Sequence, residues 1–295
     1  MINIPSTIKI SLRALRVNKM RSALTMLGII IGVGAVITML AVGTGARQRI
    51  GEQIASMGSN LLMVLPGATT SGGARMGAGS QMTLSTSDAE AILKECPAVL
   101  HVAPVLGGVA QVIYGNQNWS TSVTGTTPAM LEVRDWPLSE GRTFAEEDVR
   151  SASKVCLLGQ TVVDNLFGGI YPIGQVVRIK NVPFTVIGVL DRKGQSPNGQ
   201  DQDDTIYIPV TTAQKKIFGT TFPGMVRIIM VKAKGAEELS QAQKQITELL
   251  RQRHRIAQKQ DDDFSVRNLT QMMQAAEESA KIMALLLGAV ASVSL

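Results

Sequence analysis

The chain has 295 residues and a formal net charge of +6, enough length for a membrane element plus one or two folded domains. The charge is unevenly placed: residues 1–49 hold seven cations and no acid, and the other 246 residues carry 22 basic and 23 acidic side chains. The basicity is therefore a collar around one segment and not a nucleic-acid-binding surface, and two cysteines, Cys96 and Cys156, exclude a disulfide scaffold or a cysteine-built metal centre.

In the first turns Ile4, Ile8, Leu12 and Leu15 fall on one helical stripe, with Lys9, Arg13 and Arg16 off it. Residues 1–21 are expected as an amphipathic helix on the cytoplasmic membrane surface, with Lys9, Arg13, Arg16, Lys19 and Arg21 facing the headgroups. Ser22 to Ala46 is a run of 25 residues without a charge. A bilayer core takes about 20 apolar residues, and Leu24–Gly43 supplies them with only Thr25 and Thr38 interrupting, so residues 22–46 read as a membrane span. A cleaved export signal fits less well because the basic flank is long; a buried core helix would show a polar face. More cations precede the span than follow it, which places the N-terminus in the cytoplasm. Gly28 and Gly32 form a G-x-x-x-G pattern suited to close helix packing.

Beyond the span no proline appears before Gly58, and Ile50, Ile54 and Met57 recur at helical spacing. Ser22 to Met57 as one helix would be about 54 Å long, roughly 20 Å more than the hydrocarbon core needs, so residues 47–58 are expected as a stalk. The far end mirrors this. Leu269, Met272, Met273 and Ala276 make a second helical stripe over 269–281, and residues 282–295 read as the start of a second span.

Between the stalks, "NLLMVLPG" is strand-like and ends in a turn, and Ser87 with Glu90 forms an expected capping box. Ala89, Ile92, Leu93 and Cys96 then line a helix face, followed by strand-like runs over Val99–Tyr114 and Ser120–Gly125. Near the end come "MVRIIMVKA", a helix carrying Leu239, Ala242, Ile246, Leu249 and Leu250 on one face, and "FSVRN". This order predicts an α+β domain of split βαβ, porter-like type, in halves 59–128 and 220–268. A small α/β subdomain is expected inserted at 129–219, with "KVCLLG" as a strand, "QTVVDNLFGG" as a helix and "VVRIKNVPFTVIGVL" as a hairpin.

Chemistry-bearing motifs are scarce. No nucleotide-binding loop, zinc signature or nucleophile elbow occurs, so no catalytic, cofactor or metal residue is assigned. His101 and His254 are expected as surface or capping residues, "DQDD" (Asp201–Asp204) and "DDD" (Asp261–Asp263) as solvated loops, and both cysteines as small buried hydrophobes.

The segments "NKMRSALTMLGIIIGV", "GSNLLMVLPG", "VRDWPLSEGRTFAEEDV", "VCLLGQTVVDNLFG", "PIGQVVRIKNVPFTVIGVL" and "DDTIYIPVTTAQKKIFG" resemble, in order, the MacB/FtsX-type permeases of ABC transporters. The resemblance implies a four-span inner-membrane permease that dimerises, with a large periplasmic domain between spans one and two. It also implies mechanotransmission, in which ATP bound by a separate cytoplasmic ATPase subunit drives periplasmic efflux of a drug, peptide or similar substrate. A periplasmic adaptor and an outer-membrane channel are the expected partners. Two alternatives stay open within the superfamily: a non-transporting regulator of cell-wall hydrolases, and a lipoprotein-extraction permease. An enzyme secreted behind a cleaved signal is the remaining one.

Overall fold

The structure is a computed structural model describing residues 17–57, 60–67, 70–71, 74–75, 82–196, 199–220 and 222–269, with 271, 275, 278–279, 281–283 and 286 beyond them. It divides into two units, Met1–Gly51 with Gln274–Leu295, and Glu52–Met273.

Helix α1 (Lys19–Met57) runs 39 residues, passing Gly43 and Gly45 without interruption; it belongs to the first unit up to Gly51 and to the second from Glu52. Its described side chains Leu24, Leu27, Ile29, Ile30, Ile31, Val33 and Ile37 are all exposed, and consecutive positions of a helix point in different directions. Among the described residues no helix is long and apolar enough to cross a membrane. The side chains at 35, 36, 39, 40 and 42–44 lie outside that description.

The second unit is built on one ten-stranded sheet. Its strands are β1 (Leu61–Pro66), β2 (Val99–Tyr114), β3 (Gln117–Thr126), β4 (Leu138–Gly141), β5 (Val155–Leu158), β6 (Val176–Ile179), β7 (Val182–Leu190), β8 (Thr205–Pro209), β9 (Ile228–Ala233) and β10 (Phe264–Asn268). The order along the sheet is β10-β1-β9-β2-β3-β8-β5-β7-β4, with β6 pairing both β7 and β2.

The first four strands of that order are antiparallel throughout. Helices α2 (Thr86–Glu95) and α6 (Leu239–Arg253) pack on them, α2 against β2 and α6 against β1 and β10, and the two helices touch each other. The apolar spacing explains this seating. Leu239, Ala242, Ile246 and Leu250 are buried at intervals of three or four, as are Ala89, Ile92 and Cys96. Leu93, expected on the same stripe, points outward and is 51% exposed. The capping box also differs from expectation. Ser85, not Ser87, caps α2, its hydroxyl accepting from the Asp88 amide while the Asp88 carboxylate accepts from the Ser85 amide. Ser85 is held in extended conformation by pairing with Met225, and this fixes the helix start two residues earlier.

The remaining strands close on themselves. β2 pairs with β3, β3 with β8, β8 with β5, β5 with β7, β7 with β6, and β6 returns to β2 through Val112 and Ile113. Val112, Val123, Cys156, Val177, Ile179, Phe184 and Val186, one or two from each of β2, β3, β5, β6 and β7, are fully buried. Closure leaves the ring without free edges along those pairings. It rests on local chemistry at one corner: Lys180 and Asn181 both adopt positive φ (45° and 68°) in the two-residue turn joining β6 to β7. Strand β2 belongs to both halves of the sheet, pairing β9 over Val99–Val105 and β3 over Leu106–Tyr114. β3, which the sequence division puts ahead of the insertion, pairs on both sides within the ring.

Three further helices, α3 (Ala129–Val133), α4 (Glu146–Arg150) and α5 (Gln160–Phe167), decorate the ring. α5 stops at Gly168, in left-handed conformation at φ 53°, where the glycine signal places its end. At its start Gly159 approaches the backbone so closely that a Cβ would lie 2.1 Å from the Asp203 carbonyl oxygen.

Candidate functional site

No catalytic constellation is present among the described residues, and no group of three or more metal-ligating side chains is found among them. The features that stand out are where the helices enter the sheet and how the far end of the same strands is fastened.

Helix α1 ends at Met57, and β1 begins four residues later after Asn60, whose φ of 59° turns the chain. The Asn60 carbonyl accepts from the Ala233 amide of β9 at 2.9 Å. At the other boundary β10 ends at Asn268 and helical residues follow at once. The Asn268 side chain accepts from the Gln271 amide at 3.1 Å, an N-cap bond, and Leu269 packs against the core. Leu62 and Asn268 are direct partners in the β1–β10 ladder. Both chain connections therefore leave the sheet at the same end of two hydrogen-bonded strands. Asn268→Ala is expected to cost about 1 kcal/mol, the usual worth of an N-cap, measured as a lowered urea midpoint with unchanged slope.

At the opposite end of the same ladder, near the Pro66–Phe264 pair, lies a cluster of charges. Asp88, in the first turn of α2 and 4% exposed, accepts from Ser85 Oγ at 2.7 Å and from Arg253 Nε at 2.8 Å. His254, the C-cap of α6, faces Asp263 through Nδ1 at 2.7 Å and Asp88 through Nε2 at 3.4 Å. Arg251 pairs with Asp262 one turn earlier. The signs suit both helix ends, with an anion at the N-terminus of α2 and cations at the C-terminus of α6. Burial alone would raise the Asp88 carboxyl, but the donors His254, Ser85 and Arg253 outweigh it and hold it well below the usual carboxylate range. His254 is pushed up to about 8, by its hydrogen bond to Asp88 first and by Asp263 next, against burial. Asp263 is the nearer partner but its side chain is 32% exposed, against 5% for Asp88, so the longer contact acts in drier surroundings.

A second cluster fastens the loop between β7 and β8. Asp203 is buried and accepts from the amides of Lys193 and Gly194 at 2.8 and 2.9 Å. Asp204 accepts from the Trp119 indole and Asp201 from the Thr161 hydroxyl. Lys193 Nζ and the Arg134 guanidinium each lie 5.3 Å from the Trp136 ring, whose indole donates to the Asp191 carbonyl at 2.6 Å. Burial, with Arg134 beside it, lowers Lys193 to about 8.

These two clusters correct the sequence reading. Acids of "DQDD" and "DDD" fasten their loops although Asp201 and Asp261 are exposed, whereas His254 is a helix cap, one of its two expected roles, with its ring enclosed. The long-range member is what the sequence hides: Asp88 lies 166 residues from His254. Cys96 and Cys156 are free and buried, and burial raises both thiols, Cys96 to about 11.

Of the residues singled out for mechanics, Gly28 lies open, with nothing within 4 Å of the place a Cβ would take, whereas Gly32 is buried. Lys19 and Arg21 are exposed on α1. Ile50, Ile54 and Met57 are helical positions of α1 whose side chains lie outside the described residues, and Met272, Met273, Ala276, Lys9, Arg13 and Arg16 lie outside them altogether.

Comparison with known proteins gives a consistent result. Residues 22–249 match the family model of the MacB-like periplasmic core domain. A macrolide export ATP-binding/permease protein MacB of Syntrophobacter fumaroxidans is 42% identical over 97% of this chain and 47% of its own length. The protein of the same name from Bdellovibrio bacteriovorus is 39% identical over 96% of this chain and 43% of its own. The chain thus spans a little under half the length of these relatives. The crystal structure of the periplasmic region of MacB from Actinobacillus actinomycetemcomitans aligns with a TM-score of 0.61 at 25% identity, covering 78% of this chain and 98% of that one. The extracellular domain of the ABC-type transporter YknZ shares the fold, with a TM-score of 0.55 at 19% identity over 71% of this chain and 100% of that one. The chain belongs to the MacB-like periplasmic core domain family of ABC transporter permeases.

Proposed function

We propose that this chain is part of an inner-membrane permease that works by mechanotransmission. A partner subunit hydrolyses ATP in the cytoplasm, α1 crosses the membrane, and its outer end moves the periplasmic sheet. Substrate is expelled on the periplasmic side, toward an adaptor and an outer-membrane channel, and does not pass between the spans. The observation that supports this reading is the shared exit of both connections at the Leu62–Asn268 pair, through which two moving helices would act on adjacent strands.

Several further features support it. Apart from Thr25, whose hydroxyl donates to the Arg21 and Ser22 carbonyls, the exposed side chains described on α1 over residues 24–37 are apolar, as a lipid-facing helix requires. Residues 22–46 contain no charge, so the segment offers no polar path for cargo. The strand–helix–strand pairs on either side of the ring suit the porter-like split βαβ reading, with 129–219 as the inserted part and residues beyond 281 leading into a second span. A homodimer would place two such assemblies side by side, with Gly28, which lies open, available for helix contacts.

Export is preferred to regulation because the curated relatives are named for macrolide export. Deleting the gene should lower resistance to exported drugs or peptides and leave cell separation normal. Chained, unseparated cells with unchanged resistance would point to hydrolase regulation instead.

A further inference from the structure

We propose that the cluster joining α2, α6 and β10 is a proton-operated latch: protonated His254 ties the last turn of α6 to both Asp88 and Asp263, and alkaline medium releases the Asp88 arm. The latch goes beyond the transport reading and stands or falls separately from it.

The geometry sets what each protonation state can do. Only the imidazolium donates from both ring nitrogens, and the ring lies between two carboxylates from different elements. Neutral imidazole keeps one N–H. The 2.7 Å contact with Asp263 retains it at Nδ1, and the Nε2 lone pair then faces the Asp88 carboxylate. Asp88 is left with Ser85 and with Arg253, whose side chain is 34% exposed and can turn to water. The charged groups around the ring are Asp88 from α2, Asp263 from the β10 entry and Arg253 on its own helix; the Phe264 ring meets the imidazole edge-on.

Release would spread beyond the pair. The Asp263 carbonyl accepts from the Gly67 amide at 2.7 Å and from Thr83 Oγ1 at 2.8 Å. Gly67 sits so close that a Cβ would lie 2.7 Å from the Asp263 carbonyl carbon. The latch therefore fastens the far ends of β1 and β10, the two strands whose near ends join the helices.

The sign follows from linkage. His254 titrates near 8 in the folded chain against 6.5 for the free side chain. Its contribution is complete below about pH 6.5 and is lost as pH rises through about 8. Asp88 is depressed, so its contribution is present above its ordinary value of 3.8 and is lost only as pH falls through its lower folded value. The latch is closed in the acid-to-neutral window between them. Because Arg253 retains a hold on Asp88, the change in local opening is on the order of ten-fold, less than the full linkage value.

Hydrogen exchange of the full chain in detergent, read by mass spectrometry at pH 6 and pH 9 and corrected for intrinsic exchange rates, tests this. Peptides covering 86–95 and 254–268 are expected to lose protection on the order of ten-fold at pH 9 relative to 155–167, and His254→Gln, which cannot titrate, to lose the difference. Equal relative protection of the wild type at both pH values would overturn the latch, as would the same pH response in His254→Gln. Should that variant not fold, the titration of His254 in the wild type decides, read from exchange of its imidazole C2 proton. A midpoint near 8 supports the latch and one near 6.5 overturns it.

Discussion

Asp88→Ala is expected to lower the stability of the periplasmic unit by about 2–4 kcal/mol at pH 6, seen as a lower midpoint in urea or thermal unfolding. The substitution removes the acceptor for Ser85, Arg253 and His254 together. Arg253 can recover water, but His254, with its side chain 11% exposed, keeps only Asp263 as a partner and leaves Nε2 unpaired. Removing one partner of such a pair costs more than the pair itself contributes, because the remaining charge stays buried. Half of the α2 capping box goes as well, since the same carboxylate accepts from the Ser85 amide, while the Ser85 hydroxyl keeps its bond from the amide of residue 88. Asp88→Asn keeps the shape and one acceptor and is expected to lose about half as much. In both variants His254 loses the contact that raises it most, so its titration midpoint should fall. A loss below about 0.5 kcal/mol for Asp88→Ala would mean that the cluster is a surface feature without structural weight.

Ile54→Pro is expected to abolish export, with a fall of at least about ten-fold in transport, while the partner ATPase keeps turning over. Position 54 lies inside α1, where proline removes a backbone hydrogen bond and clashes with the preceding turn, at about 3 kcal/mol. A kinked rod transmits little displacement to β1. Ile54→Ala preserves the helix and separates a loss of side-chain packing from a loss of stiffness. Circular dichroism and thermal unfolding of the proline variant check that the sheet unit remains folded. Full transport in Ile54→Pro would remove the lever from the mechanism.

Much of this architecture is legible in the residues, and the failures share one cause. The hairpin over 176–190, the glycine stop at Gly168 and the buried face of Leu239, Ala242, Ile246 and Leu250 are local signals, set by alternation, turn chemistry or 3.6-residue spacing. The α2 cap is ambiguous in sequence because Ser85 and Ser87 each precede an acid by three residues. A strand segment 140 residues further along makes the choice, since Ser85 pairs with Met225. Ring closure between β6 and β2 likewise depends on register between distant strands, which no window of sequence contains. The same holds for the site. "DDD" near the end of α6 looks like solvated charge until Asp88 is brought to His254 from the other half of the chain. A signal is available: Arg251, Arg253 and His254 lie at one helix end, close to those acids. The residues expected to matter mechanically are read from spacing alone, and spacing identifies a face without saying what lies against it.

On the proposed topology α1 crosses the membrane and the sheet unit lies on the far side from Lys19. Single cysteines at Lys19 and at Ser120, both exposed, introduced into the full-length protein and treated with a membrane-impermeant maleimide in spheroplasts, test it most directly. The native cysteines are buried and should stay silent. Labelling is expected at position 120 in intact spheroplasts and at position 19 only after the membrane is permeabilised. Equal labelling of both positions before permeabilisation would contradict it.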